Sequence, residues 1–287
     1  MSSNPFTEAN TEELYAHVDK LCRAFWDKEG SLHWGYFENP QSTELTTEDF
    51  LPASQRWNRC MLDRSGIGAE SRVLDVGCGN GNAAIWLAQQ TGCEVVGVDL
   101  SGIRIDNAQA KAKEYPSLRL SFYKRSATQL EFRDRSFTHV WSQATFYHVH
   151  DRQEALREVY RVLELGGKFV FDDLITPVAI EQLSDAAQKY VYHRMLFKPL
   201  FSGESYADFL SQLGFKVLQT ENLSQHLHKS YQLLCELARE HEPEVKSAYE
   251  ASGLDPEHYI SPTFSYQKVA EAIKARELGW FFYLCQK

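Results

Sequence analysis

Five residues of this 287-residue chain have types and spacing suited to holding a ligand: Gly77-Cys78-Gly79-Asn80-Gly81. They follow a short apolar run, Arg72 to Val76, and precede a helical pattern that starts at Asn82. Glycines at such a turn permit positive φ and let a ligand approach the backbone. The helix start offers free N–H groups and the positive end of its dipole. A loop of this kind cradles anions and nucleotides in general, and its spacing narrows the choice. A dinucleotide site wants Gly-x-Gly-x-x-Gly, with its third glycine at the position held here by Asn82. In this chain the third glycine is Gly81, so the pyrophosphate pattern is broken. About 20 positions further on, Asp99 ends a second apolar run, Glu94 to Val98, where a carboxylate can accept hydrogen bonds from a ribose diol. The pair predicts a ribose-bearing ligand and does not require a pyrophosphate.

With those residues in place, the sequence resembles the class I S-adenosylmethionine (SAM)-dependent methyltransferases. Val73-Leu74-Asp75-Val76 with the glycine loop looks like their first motif, and Val96-Gly97-Val98-Asp99-Leu100-Ser101 like their second. Ser126-Ala127 stands where that family meets the adenine. Arg161 to Lys168 resembles its turn into the fifth strand. The resemblance implies SAM as cofactor, held by Asp75, Gly77, Gly79, Gly81, Asp99, Leu100, Ser126 and Ala127. Cys78 is then a small filler beside it. Trp141 to His148 and Leu32 to Phe37 are similar to segments of the sarcosine/dimethylglycine and tocopherol-type methyltransferases. The former group usually carries an acid after the Gln, where this chain has Ala144, which weighs against a small amino acid as acceptor.

Methyl transfer from a sulfonium is an in-line displacement, for which a protein supplies alignment and desolvation. Aromatic faces attract the cation, so Trp34, Tyr36 and Phe37 are expected to close over it, Trp34 and Tyr36 as cofactor contacts. His148 follows the fourth strand, at the sheet edge where open α/β folds bind ligands. It is the candidate base for a hydroxyl or ammonium nucleophile. Asp172 or Asp173 could orient it, and Gln143 could bond the acceptor or the methionine end of SAM. Tyr190, Tyr192, His193, Arg194, Met195 and Phe197 could flank an acceptor pocket. His226-x-His228 lacks companion ligands, so no metal site is expected. The expected activity is transfer of a methyl group to a nitrogen or oxygen of a small molecule. The rivals are carbon methylation of a phenol or quinone, and a non-catalytic SAM- or nucleotide-binding protein.

The elements that must position these residues alternate. Strands are expected at 72–76, 94–98, 118–123, 137–142 and 168–172, with helices at 82–90, 103–115 and 153–163 between them. That order implies a parallel sheet covered on both faces. Two late strands, 216–220 and 280–285, complete an α/β, Rossmann-like, seven-stranded, mostly parallel sheet with an antiparallel C-terminal strand and a helical cap. Helices are expected at 11–30 and 46–65, through most of 174–212, and across 224–276 with breaks near Pro256 and Pro262. The expected division is an N-terminal helical lid (1–69), a SAM-binding core (70–173), a cap (174–213) and a last unit (214–287) carrying two core strands and a helical insertion.

A net charge of −9 without a basic run argues against nucleic acid or an anionic membrane surface as partner. No apolar run approaches the ~20 residues of a membrane span. Six scattered cysteines, with no Cys-x-x-Cys, and a polar Met1–Asn10 fit a cytoplasmic protein, acting as monomer or homodimer.

Overall fold

The computed structural model describes residues 5–23, 25–251 and 261–287. Seven strands form one sheet: β1 (Arg72–Val76), β2 (Glu94–Asp99), β3 (Leu120–Lys124), β4 (Phe137–Ser142), β5 (Leu163–Ile175), β6 (Lys216–Asn222) and β7 (Gly279–Gln286). Their order across the sheet is β3-β2-β1-β4-β5-β7-β6. β1 to β5 run parallel, and β7 is antiparallel to both β5 and β6. Fold and strand count are those expected.

Both faces of the sheet are buried, which is why its parallel strands read as continuous apolar runs. Within β1, Val73 joins the core on one face and Leu74 the core on the other. On the Val73 face lie helices α2 (Phe50–Ser65), α3 (Asn82–Thr91), α4 (Gly102–Ala112), α8 (Ser224–Glu240) and α10 (Pro262–Lys274). On the Leu74 face lie α5 (Arg152–Val162) and α7 (Gly203–Gln212). α5 starts where the Asp151 side chain accepts the Glu154 amide at 3.0 Å, an N-cap. Its buried Ala155, Leu156, Val159 and Val162 then form one apolar stripe at helical spacing.

The structure departs from expectation outside the sheet. The first helix, α1 (Glu8–Arg23), ends before the expected limit of 30, and residues 31–37 form neither helix nor strand. Within 174–212, α7 is helical as expected, but the part before it is short turns rather than a long helix: a 3-10 turn at Ile180–Gln182, the three-residue α6 (Asp185–Ala187) and a π turn at Gln188–His193. Pro177 and Pro199 bar regular helix at the two ends of that part. The far region holds α8, α9 (Glu242–Ala251) and α10, with Pro262 in the first turn of α10. The expected break near Pro256 lies outside the described residues. Among the described residues no helix is long and apolar enough to cross a membrane.

Candidate active site

The strand order reverses between β1 and β4, and ligands of open α/β sheets bind in the crevice at such a point. The glycine loop leaves β1 there. Its amides at Gly77 and Cys78 donate to the Val98 carbonyl at 2.8 and 3.0 Å, fastening the loop to the end of β2. Gly77 has φ +77°, and a Cβ on it would stand 2.2 Å from Thr145 Oγ1. Only glycine allows the loops after β1 and β4 to approach so closely. Asp99 holds the loop from below. Its Oδ2 accepts the Gly79 amide at 2.9 Å and its Oδ1 the Ser101 amide at 2.8 Å. Each oxygen keeps a second lone-pair direction, and the residue is partly exposed on the cavity wall.

Asp75 lies deeper. It is buried, and its Oδ2 has no hydrogen-bond partner. Burial, and then the charge of Asp99, push its carboxyl up to about 8. A buried unpaired oxygen costs roughly 1–3 kcal/mol. The residue borders the cavity, with that oxygen itself covered.

The cavity encloses about 1060 Å³ of empty space, its open mouth included. Asp75, Gly77, Gly79, Asp99, Leu100, Ser126, Ala127, Gln143 and His148 all line it. Gly81 does not. It caps α3 with φ +78°, and a Cβ there would meet Ala108 at 2.9 Å and Phe122 at 3.0 Å, so its role is close packing of α3.

Trp34 and Tyr36 do not line the cavity either, and the expected aromatic lid is a packed core. Trp34 is buried against Trp280 (5.4 Å between ring centroids), Tyr147 (6.1 Å) and Tyr231 (6.4 Å). Tyr36 stacks between Trp57 at 5.5 Å and His226 at 4.3 Å, and Phe37 is fully buried beside them. Large aromatic rings gain more from such burial than from standing over a wet cavity. His226 also accepts the Phe37 amide through Nδ1 at 3.1 Å. Among the described residues no group of three or more His, Cys, Asp or Glu is placed to hold a metal ion.

The roof comes from Leu32 and His33, at the start of the expected lid segment, and from residues that the sequence did not single out. Gly30, Ser31, Leu32 and His33 cover the glycine loop, and Glu8, Thr11 and Tyr15 of α1 cover the Ser126 side. Asn80 donates to the Gly30 carbonyl at 3.1 Å. Asn82 donates to the Glu29 carbonyl at 2.8 Å and to Ser31 Oγ at 2.9 Å, while Lys111 donates to Asn82 at 2.7 Å. The residue that broke the dinucleotide pattern thus ties down the roof. Glu8 accepts from Ser126 and, at 3.3 Å, from Thr128. Arg104 of α4 is buried in the same wall, its guanidinium 4.1 Å over the Tyr15 ring.

His148 ends a 3-10 turn, Phe146–His148. The Met195 backbone lies close to its ring, and Nδ1 is buried without a hydrogen-bond partner. Burial, followed by the charges of Arg104 and Arg152, holds the imidazolium down at about 3, so the ring is neutral. Tyr15 stands edge-on to it at 5.2 Å. Gln143 is fixed at the wall by accepting from Trp141 Nε1 at 3.2 Å and donating to Asn58 at 2.9 Å. Burial raises the Cys78 thiol well above its usual range, which leaves no thiolate for chemistry.

Asp172 does not orient His148. Its Oδ2 accepts Trp57 Nε1 at 2.7 Å, and its Oδ1 accepts Trp280 Nε1 at 2.9 Å and the Ala144 amide at 3.1 Å. Three donors from α2, β7 and the loop after β4 meet on one buried carboxylate. Asp172→Asn keeps one acceptor and sets an NH2 against an N–H. We expect a stability loss of about 2–4 kcal/mol, the scale for a broken buried network, read from urea denaturation monitored by tryptophan fluorescence. A loss below the error of that measurement would show that the carboxylate does not hold the fold.

Residues 74–171 match the model of a family described as a methyltransferase domain. "Methyltransferase GfsG" of Streptomyces halstedii is 28% identical over 74% of this chain and 75% of its own. "O-methyltransferase resE" of Aspergillus sclerotiorum is 30% identical over 75% of this chain and 80% of its own. A solved structure described as a putative sarcosine dimethylglycine methyltransferase from Galdieria sulphuraria superposes with a TM-score of 0.81 at 19% identity, covering 96% of this chain and 98% of that one. With the glycine loop at the switch point and Asp99 beneath it, these likenesses place the chain in a family: it belongs to the class I SAM-dependent methyltransferases.

Proposed function

We propose that the enzyme methylates a hydroxyl or amine of a small molecule, with His148 taking the proton. The residues present fit SAM, because the unpaired Asp75 oxygen matches the ammonium of its methionine end. In this reading Asp99 receives the ribose and Ser126-Ala127 flanks the adenine. SAM, when bound, supplies a methyl group already activated on a sulfonium. The chain's own residues then align and desolvate. Gly77 and Gly79 bring the backbone to the ligand, residues 30–33 and α1 exclude water, and Gln143 offers a fixed amide on the wall.

The observation that carries the acceptor reading is the neutral His148 ring on the cavity wall, just beyond the carboxyl end of β4. A nucleophile that donates O–H or N–H to a bare ring nitrogen loses its proton there as it attacks. Relatives named O-methyltransferase support an oxygen acceptor. The unpaired thiols of all five described cysteines support a reducing compartment.

His148→Ala is expected to lower turnover by about 10²-fold, the low end for a general base because the conjugate of so acidic an imidazolium is a weak one, and to leave SAM affinity within a factor of about two. Because the ring stays neutral down to about 4, the wild-type rate should show no histidine limb near pH 6.5. The assay is radiolabelled methyl transfer to a panel of phenols, alcohols and amines, with calorimetry of SAM, S-adenosylhomocysteine and NADH beside it. Unaltered turnover of the alanine variant removes His148 from the mechanism. Tight binding of NADH alone would sink the cofactor assignment.

A further inference from the structure

We infer that the buried pair Arg152–Asp173 is a positioning device that holds His148 by the main chain on both sides of its ring. The inference rests on the reading of His148 as the proton acceptor.

The Arg152 side chain is 1% exposed and that of Asp173 0%. Arg152 Nε donates to the Phe146 carbonyl at 3.0 Å. One terminal nitrogen donates to the Tyr147 carbonyl at 3.3 Å and to the Lys198 carbonyl at 3.1 Å. Asp173 completes the grip by accepting the Tyr147 amide at 2.8 Å and the Tyr206 hydroxyl at 3.0 Å. Phe197 and Phe201 flank the guanidinium at 5.2 and 5.8 Å.

The two segments joined in this way both determine where the imidazole stands. The Phe146–His148 turn carries it, and the stretch from Met195 to Lys198 brings the Met195 backbone up to the ring. A planar guanidinium reaches three carbonyls from two segments, which an ammonium or an apolar side chain does not. The direct contact to Asp173 is loose, at 3.8 Å between Arg152 Nη1 and Oδ2, and Nη1 makes no hydrogen bond. Stability alone is a weak reason to bury such a pair, since apolar residues of similar volume often serve as well or better. What the pair provides is placement. Asp172 and Asp173, adjacent in β5, hold opposite ends of the same loop: Ala144 on one side and Tyr147 on the other.

The test compares Arg152→Met, Arg152→Lys and Asp173→Asn with the wild type, each saturated with S-adenosylhomocysteine and labelled with ¹⁵N-histidine. In the wild type His148 should show one neutral tautomer from pH 5 to 8. Arg152→Met should broaden or split that signal and move its titration upward. Turnover with the best acceptor of the phenol and amine panel should fall about a hundredfold, the scale of a catalytic group displaced by roughly an ångström. S-adenosylhomocysteine affinity should stay within a factor of about three. Arg152→Lys should recover part of the turnover. If Arg152→Met does not fold, Asp173→Asn carries the same reading, because it removes the acceptor charge at Tyr147 and leaves the guanidinium in place. A variant with unchanged His148 signals and unchanged turnover overturns the proposal. Failure of the base assignment is distinguishable, since His148→Ala would then keep full turnover while Arg152→Met still disturbed the ring.

Discussion

A Gly77→Ala protein is expected to lose most of its SAM affinity together with about 2–5 kcal/mol of stability. Two costs add. At φ +77° an L side chain meets its own backbone, at about 1–2 kcal/mol. The new methyl would also stand 2.2 Å from Oγ1, 2.3 Å from Cγ2 and 2.7 Å from Cβ of Thr145. Thr145 cannot swing away without loss, because its hydroxyl donates to the Gln143 carbonyl at 2.8 Å. Overpacking of this kind costs roughly 1–3 kcal/mol. Relief comes only from parting the loops after β1 and β4, which carry the two halves of the site. Thermal unfolding and SAM titration check this, and adding Thr145→Ala should return part of the stability but none of the backbone term. Wild-type melting and affinity in the single variant would show that the two loops are not in contact.

The second large effect is expected at Asp75, and its sign depends on pH. In the folded protein its carboxyl is pushed up to about 8, whereas an unfolded chain ionises it near 4. Between those values the folded state holds a proton that the unfolded state lacks. Stability therefore falls as pH rises through the window, by up to about 1.4 kcal/mol per unit. Asp75→Asn removes the ionisation, so the variant should match or exceed the wild type in stability at pH 8. Its SAM affinity should drop about 10–100-fold, the worth of one charged hydrogen bond in a buried place. The wild type should also release a proton on binding SAM, because the ammonium favours the ionised acid. Affinity should rise by up to about tenfold per pH unit between roughly pH 5 and 7. Calorimetry in buffers of different ionisation heat reads that proton directly. Equal proton release by the Asn variant would place the proton elsewhere.

The sheet was legible in the sequence because its order and its apolar runs are local. β1 and β2 begin where expected, and the loop between β1 and α3 turns at its glycines. Asp99 was legible because a fixed distance separates it from the glycine loop in any such unit. The segment between Ile175 and α7 was not. Its aromatic residues resemble helix faces, yet its path is set by distant partners, such as Tyr192 donating to the Glu277 carbonyl and Ser184 donating to the Glu277 carboxylate. The same holds for the site. Glu8 meets Ser126 across 118 positions, and Thr11 meets the His148 carbonyl across 137. No pattern near either residue announces the contact. Trp34 and Tyr36 misled because aromatic type fits both cation binding and core packing, and burial decided between them. Asp172 misled because its partners, Trp57 and Trp280, lie 115 and 108 positions away.

The ties between residues 29–31 and the glycine loop have a kinetic consequence. Asn80 and Asn82 belong to the segment that wraps the ligand, and they also carry the main chain lying above it. A ligand resting on the loop would leave and enter more readily when those bonds open. Exchange of spent for fresh methyl donor is then a property of the latch as well as of affinity. A lid of this kind commonly makes product release the slow step of a cycle. Residues that never touch the migrating methyl group would in that case set the tempo of turnover.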